Sequence, residues 1–194
     1  MKKIVFATNN AHKLDELRRM AGDRFEILSL KDIRCFDDIP ENETTFEGNA
    51  LAKARWVRDR YGYDCLADDS GLEVDALDGA PGVLSARFAA EHDDAANNKL
   101  LLAKLQGVPA QKRTARFRTA ICLLEGDAEP RFFSGAVEGR ILDAPRGEGG
   151  FGYDPLFVAD GYTRTFAETS AAEKDAVSHR GRAVRALLHY LHAE

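Results

Sequence analysis

The sequence predicts one mixed α/β unit, and three observations carry that prediction. Ile4 to Ala7 form a compact apolar run that passes through a polar turn into residues at helical spacing. Ala115, Phe117, Thr119, Ile121 and Leu123 alternate at a period of two, the pattern of a strand. No repeat, linker or low-complexity segment divides the 194 residues, so 1–194 reads as a single domain of one or two lobes, long enough to bury a substantial core.

The elements follow in order. The Ile4–Ala7 strand is broken by Asn9 and Asn10, after which Leu14, Leu17 and Met20 share a helical face and Gly22 is available as its carboxyl cap. Phe25 to Leu30 read as a second strand, followed by the acidic connection KDIRCFDDIPENE. Thr44, with Glu47 as capping-box partner, should open a helix whose buried stripe is Phe46, Ala50, Ala54 and Val57 and which ends near Gly62. Asp64 to Ala67 form a strand that leads into Asp68 and Asp69, and a short strand carrying Leu72 and Val74 follows the DDSG turn. Asp94 caps a helix with Leu100, Leu101 and Leu105. The alternating strand then turns at EGDAEP into an antiparallel partner, Phe132 to Ile141. GEGGFGYDP is too rich in glycine for a regular element and is expected as a tight loop. A short strand lies around Leu156 to Val158, Ser170 and Glu173 make a second capping box, and a last helix carries Val184, Leu187, Leu188 and Leu191.

Composition narrows the function classes. A formal net charge of −5 argues against a generally basic nucleic-acid surface, so an anionic ligand has to be met locally. Cys35, Cys65 and Cys122 stand far apart without metal-ligand spacing, as suits thiols in a reducing compartment. The amino terminus lacks a signal-length apolar run and no later run is long enough to span a membrane, so a cytoplasmic protein is expected. There is no GxSxG elbow, no paired Cys and His signature and no zinc spacing.

Four constellations carry chemistry. Thr8, Asn9, Asn10, Ala11, His12 and Lys13 place free backbone donors and a lysine at a strand-to-helix turn, which is either a phosphate cradle or an ordinary capped helix. Asp68 and Asp69 are adjacent, and strand alternation turns them to opposite faces, so one of them faces a site and the other faces elsewhere. With Glu41, Asp69 suits magnesium, which takes one or two carboxylates and leaves room for phosphates; the competing reading is a turn cap before Gly71. Lys53 either points toward phosphate or, like most helical lysines, is solvated. FGYDP and SHRG together offer an aromatic face, a carboxylate, an imidazole and a guanidinium, the groups that stack on a base and read its edge, whereas core packing and a surface ion pair account for Phe151 and Arg180 singly.

Taken in order, TNNAHK, PENETTFEGNALAKA, LADDSGLEVDALDGAPGVLSAR, GGFGYDP and EKDAVSHRG closely resemble the Ham1 or RdgB family of inosine and xanthosine triphosphate pyrophosphatases over almost the whole chain. The resemblance implies a mixed central β-sheet flanked by helices, in two lobes around a deep cleft, and a homodimer. It implies a magnesium-dependent hydrolase that cleaves ITP, dITP and XTP to monophosphate and pyrophosphate, with no nucleic-acid or membrane partner.

Residue by residue, it assigns Thr8 to Lys13 and Lys53 to the triphosphate, Asp69 to proton acceptance and metal, and Glu41 to metal. Ser70, Phe151, Gly152, Tyr153, Asp154, Lys174, His179 and Arg180 fall to the substrate, with Phe151 stacking on the purine. Where the family frequently reads E-T-G, this chain has Glu41, Asn42 and Glu43. The rival readings are a nucleotide sensor without turnover and a Maf-like pyrophosphatase.

Overall fold

In the computed structural model, which describes residues 2–193 with Arg24 and Ala193 by backbone alone, six strands form one sheet. β1 (Lys2–Phe6) pairs in parallel with β2 (Phe25–Leu28) and with β3 (Cys65–Val74). β4 (Thr114–Leu124) and β5 (Arg131–Ile141) continue the order, and β6 (Phe157–Ala159) pairs antiparallel with β5 at the edge. The order β2-β1-β3-β4-β5-β6, with both pairing senses, is the mixed sheet of an α/β fold.

Contacts divide the chain into two compact units. The first holds the chain up to Asp69, Thr119–Ser134 and the chain from Ala183 onward; the second holds Ser70–Arg118 and Gly135–Arg182.

In the first unit the central strands, β1 with the adjoining parts of β3 and β4, are buried on both faces. Ile4 and Phe6 of β1 join Leu66, Ile121 and Leu123 against α1 (Ala11–Ala21) and α5 (His179–Ala193), through Leu17, Leu187 and Leu191. Val5 and Ala7 point the other way, with Cys65, Ala67 and Cys122, onto Ala50, Ala54 and Val57 of α2 (Phe46–Tyr61). That two-sided burial is why Ile4–Ala7 is a continuous apolar run.

In the second unit, Leu72, Val74, Ala115, Phe117, Val137 and Ile141 face a core completed by Leu101 of α3 (Asp94–Lys104) and by Leu105 and Phe157. Between them Glu73, Arg116, Arg118 and Glu138 form ion pairs in wetter surroundings. One wet face gives the strict alternation seen in the sequence.

Several expected boundaries move, β2 ending at Leu28 rather than Leu30 among them. The cap of α2 is Thr45, not Thr44: its extended backbone turns Oγ1 to accept from Gly48 N–H at 3.0 Å. The cap of α3 is Asp93, not Asp94, and accepts from Ala96 N–H at 2.9 Å. Asp68 to Gly71 are not a turn between two strands but the middle of β3, because hydrogen bonds and opposite charges from other elements compensate polar groups that otherwise favour turns. Ser170 and Glu173 do form the capping box of α4 (Ala171–Val177).

Candidate active site

In the first unit, β3 carries two buried carboxylates into a group of charges. Asp68 is fully buried and pairs with Lys13 Nζ at 2.9 Å, so it does not face away from the charged group as alternation alone suggested. The long lysine chain, starting one turn into α1, reaches it. At that turn, Asn10 caps α1 by accepting from Lys13 N–H, and Thr8 Oγ1 accepts from Asn10 N–H at 3.1 Å. Asn9, Ala11 and His12 are exposed.

Asp69 accepts from Asn49 Nδ2 at 2.9 Å, and its backbone carbonyl accepts from Thr119 Oγ1. Burial raises its carboxyl to about 6 against the opposing pull of Lys53, Asn49 and Lys13. A carboxylate in that range is poised to take a proton near neutral pH.

Lys53 is 6% exposed, so it is not the solvated helical lysine that its residue type suggests. Its Nζ donates to Glu41 Oε1 at 2.5 Å. Burial alone would lower its pKa, but Glu41, Asp68 and Asp69 reverse that and keep the ammonium charged. Burial likewise works against ionisation of Glu41, and Lys53 and Lys13 overcome it to hold Glu41 below its ordinary value. Glu43 is exposed, and its backbone N–H donates to Asn49 Oδ1 at 2.9 Å.

Asn49 is the residue sequence reasoning missed. Fully buried, it ties the loop bearing Glu41 and Glu43 to the Asp69 carboxylate. A signal existed: Asn49 and Lys53 are polar and four apart on the face of α2 that Phe46, Ala50 and Val57 make apolar.

Among the described residues no three His, Cys, Asp or Glu side chains gather into a metal cage. Asp69 and Glu41 nevertheless give hard oxygen donors of the kind magnesium shares with substrate phosphates and water.

In the second unit, Lys174 of α4 is 6% exposed and donates to Asp154 Oδ2 at 2.6 Å. Its Nζ also lies 4.5 Å from the ring centroid of half-buried Phe151, and the Arg180 guanidinium lies 5.4 Å from the same ring. Arg180, buried rather than a surface ion-pair residue, donates to Ser70 Oγ at 3.3 Å. His179 is stacked on Phe117 at 4.9 Å with planes 13° apart, which fixes its imidazole plane. Phe117 was legible only as a core residue of an alternating strand. Tyr153 is buried and donates to the Ser85 carbonyl at 2.7 Å, while burial and nearby Asp94 raise its pKa and keep its proton on.

Glycine is required where α4 meets α5. A Cβ on Gly181 would lie 1.9 Å from the Asp175 carbonyl oxygen, which explains the glycine of SHRG. The chemistry on offer is thus a carboxylate and lysine cluster in one unit and an aromatic ring with buried donors in the other.

The Ham1 family model matches residues 4–190. A dITP/XTP pyrophosphatase of Porphyromonas gingivalis is 50% identical over 98% of both chains. One from Nocardia farcinica is 52% identical over 97% of this chain and 94% of its own. Among solved structures, a HAM1 protein from Coxiella burnetii superposes with a TM-score of 0.91 at 38% identity over the whole of both chains. The Ham1 protein of Staphylococcus aureus gives 0.89 at 37% identity over 99% of each.

Proposed function

The chain belongs to the Ham1 family, and from that premise we propose that it hydrolyses noncanonical purine nucleoside triphosphates, ITP, dITP and XTP, to monophosphate and pyrophosphate. The relatives' names support the substrate class, and one observation supports the chemistry: a buried carboxyl at about 6, Asp69, in the field of two lysines. No helix of the described residues is long and apolar enough to cross a membrane.

Asp69 accepts the proton of a water whose oxygen attacks the α-phosphorus, and the α–β bridging oxygen leaves with pyrophosphate. Lys13 and Lys53 meet the phosphate oxygens. Their pairs with Asp68 and Glu41 hold both ammonium groups in place before substrate arrives. Magnesium, held by Glu41 and Asp69, would supply further stabilisation of phosphate charge. Asn49 keeps the Asp69 carboxylate oriented.

At the base, Phe151 offers a stacking face, and His179 and Arg180 donate to the keto oxygen at the purine six-position. Adenine presents an amino group there and leaves those donors unpaired. One such buried mismatch costs about 1–3 kcal/mol, so two give selectivity on the order of a hundredfold or more.

The test is a panel of ITP, dITP, XTP and ATP with magnesium, read for pyrophosphate against orthophosphate. Pyrophosphate from the first three is the expected result. Orthophosphate alone would mean terminal phosphatase chemistry, and binding without product would mean a sensor. The homodimer and the cytoplasmic location belong to the same proposal; light scattering should give twice the mass of one chain.

A further inference from the structure

The loop that carries Phe151 has no regular ladder to hold it, and Gly147, Gly150 and Gly152 all have positive φ. Such a backbone is costly to order. Yet at Phe151 and Gly152 three polar groups of the main chain are met by side chains, one from the loop itself and two from α3. Phe151 N–H donates to Asp154 Oδ2 at 3.0 Å. Gly152 N–H donates to Asp94 Oδ2 at 2.7 Å, and the Gly152 carbonyl accepts from Asn98 Nδ2 at 2.8 Å. The same Nδ2 donates to the Asp94 carbonyl, also at 2.8 Å. Asp94 and Asn98 stand one turn apart on α3, so a single helical face grips both polar groups of the residue that follows Phe151.

We propose that Asp94 and Asn98 are positioning residues that fix the Phe151 ring for the base by gripping the backbone of Gly152. The inference rests on the reading of Phe151 as the base platform. Neither side chain touches the base; each removes freedom that binding would otherwise have to remove, so the effect falls on substrate affinity rather than on the chemical step. A helix that merely packed beside the loop would need no donor and acceptor matched to one glycine.

The experiment compares wild type with Asn98→Ala, Asp94→Asn, Phe151→Ala and, as control, Asp93→Ala. It measures KM and kcat for ITP with magnesium, the Kd of IMP by calorimetry, and Tm. Asn98→Ala is expected to raise KM and the IMP Kd about threefold to tenfold, the effect of losing the donor to the Gly152 carbonyl, and Asp94→Asn, which keeps an acceptor oxygen but loses its charge, about twofold to threefold, each with kcat within about twofold of wild type. Asp93→Ala, which removes the α3 cap but not the grip, is expected to lower Tm by about 3 °C and leave KM alone.

Phe151→Ala separates the two readings. If it raises KM and Kd while Asn98→Ala and Asp94→Asn leave both at wild-type values, the grip is overturned and the platform stands. If Phe151→Ala itself changes neither, the platform reading falls and the grip with it. A loss of kcat and Tm at unchanged KM in the two grip variants would assign Asp94 and Asn98 to α3 stability alone and would also overturn the proposal.

Discussion

Lys53 and Lys174 are buried to the same degree, 6% exposed, and are held in opposite ways. Lys53, in the first unit, sits in the field of three carboxylates, Glu41, Asp68 and Asp69, and shares them with Lys13. Lys174, in the second, has the carboxylate of Asp154 and two aromatic neighbours, Phe151 at 4.5 Å and Phe166 at 5.9 Å. The first arrangement is charge answered by charge, which a polyanion and a cation can rearrange without stranding any group. The second is a cation laid over aromatic faces, which suits a flat, neutral ring. What a buried lysine does is therefore set by its neighbours, not by its burial.

The comparison can be broken in five places. Asp69→Asn should have the largest effect: turnover falls by about a thousandfold or more as the proposed proton acceptor is lost. The folded state should not suffer. Asp69 is held at about 6, above the 3.8 of an unperturbed aspartate, so the folded chain binds its proton more tightly than the unfolded chain does. The contribution of this group to stability is accordingly greatest at low pH and is lost as pH rises through about 6. At neutral pH the buried charge is a cost of about 3 kcal/mol that the amide avoids, so Tm of the metal-free variant should equal or exceed that of wild type.

Lys53→Met comes next. It leaves Glu41 and the aspartates short of a countercharge, so kcat should fall on the order of a hundredfold and stability by about 3 kcal/mol; kinetics and urea unfolding measure the two. Its counterpart, Lys174→Met, should act on affinity instead, raising KM for ITP about tenfold with kcat nearly unchanged. Asn49→Ala should lower kcat by about tenfold, because the Asp69 carboxylate loses its fixed donor, and should speed hydrogen exchange at the Glu43 amide that Asn49 accepts from. The smallest effect belongs to Phe117→Leu, which loosens the His179 ring stacked on it. A fall of about threefold in the preference for ITP over ATP is expected, read as the ratio of kcat/KM values.

Much of the fold was legible because its causes are local. The strand, turn and helix from Ile4 to Gly22 announced themselves by an apolar run, two asparagines and a capping glycine. The stripe of Phe46, Ala50, Ala54 and Val57 lies where its spacing put it. The alternation from Ala115 onward was visible because β4 has one wet face along the half that lies in the second unit. What failed was long-range compensation. Asp68 to Gly71 have the composition of a turn, and Lys13, Asn49, Thr119 and Arg180, all distant in sequence, help make a strand tolerable there. Lys53 looked like a solvated lysine because nothing in α2 records the carboxylates brought by other elements. The grip of Asp94 and Asn98 on Gly152 joins segments more than fifty residues apart and left no local trace beyond two polar residues one turn apart.

The central proposal is that the charged cluster acts on the triphosphate and that the buried donors with Phe151 select the base. Arg180→Met tests it most directly, through kcat/KM for ITP and for ATP measured on the same preparation, with pyrophosphate as the product followed. The account predicts that the preference for ITP falls by about tenfold while ATP is still cleaved to pyrophosphate at the wild-type rate or faster. An unchanged preference, or an equal loss of both activities in a protein that retains its Tm, would contradict it.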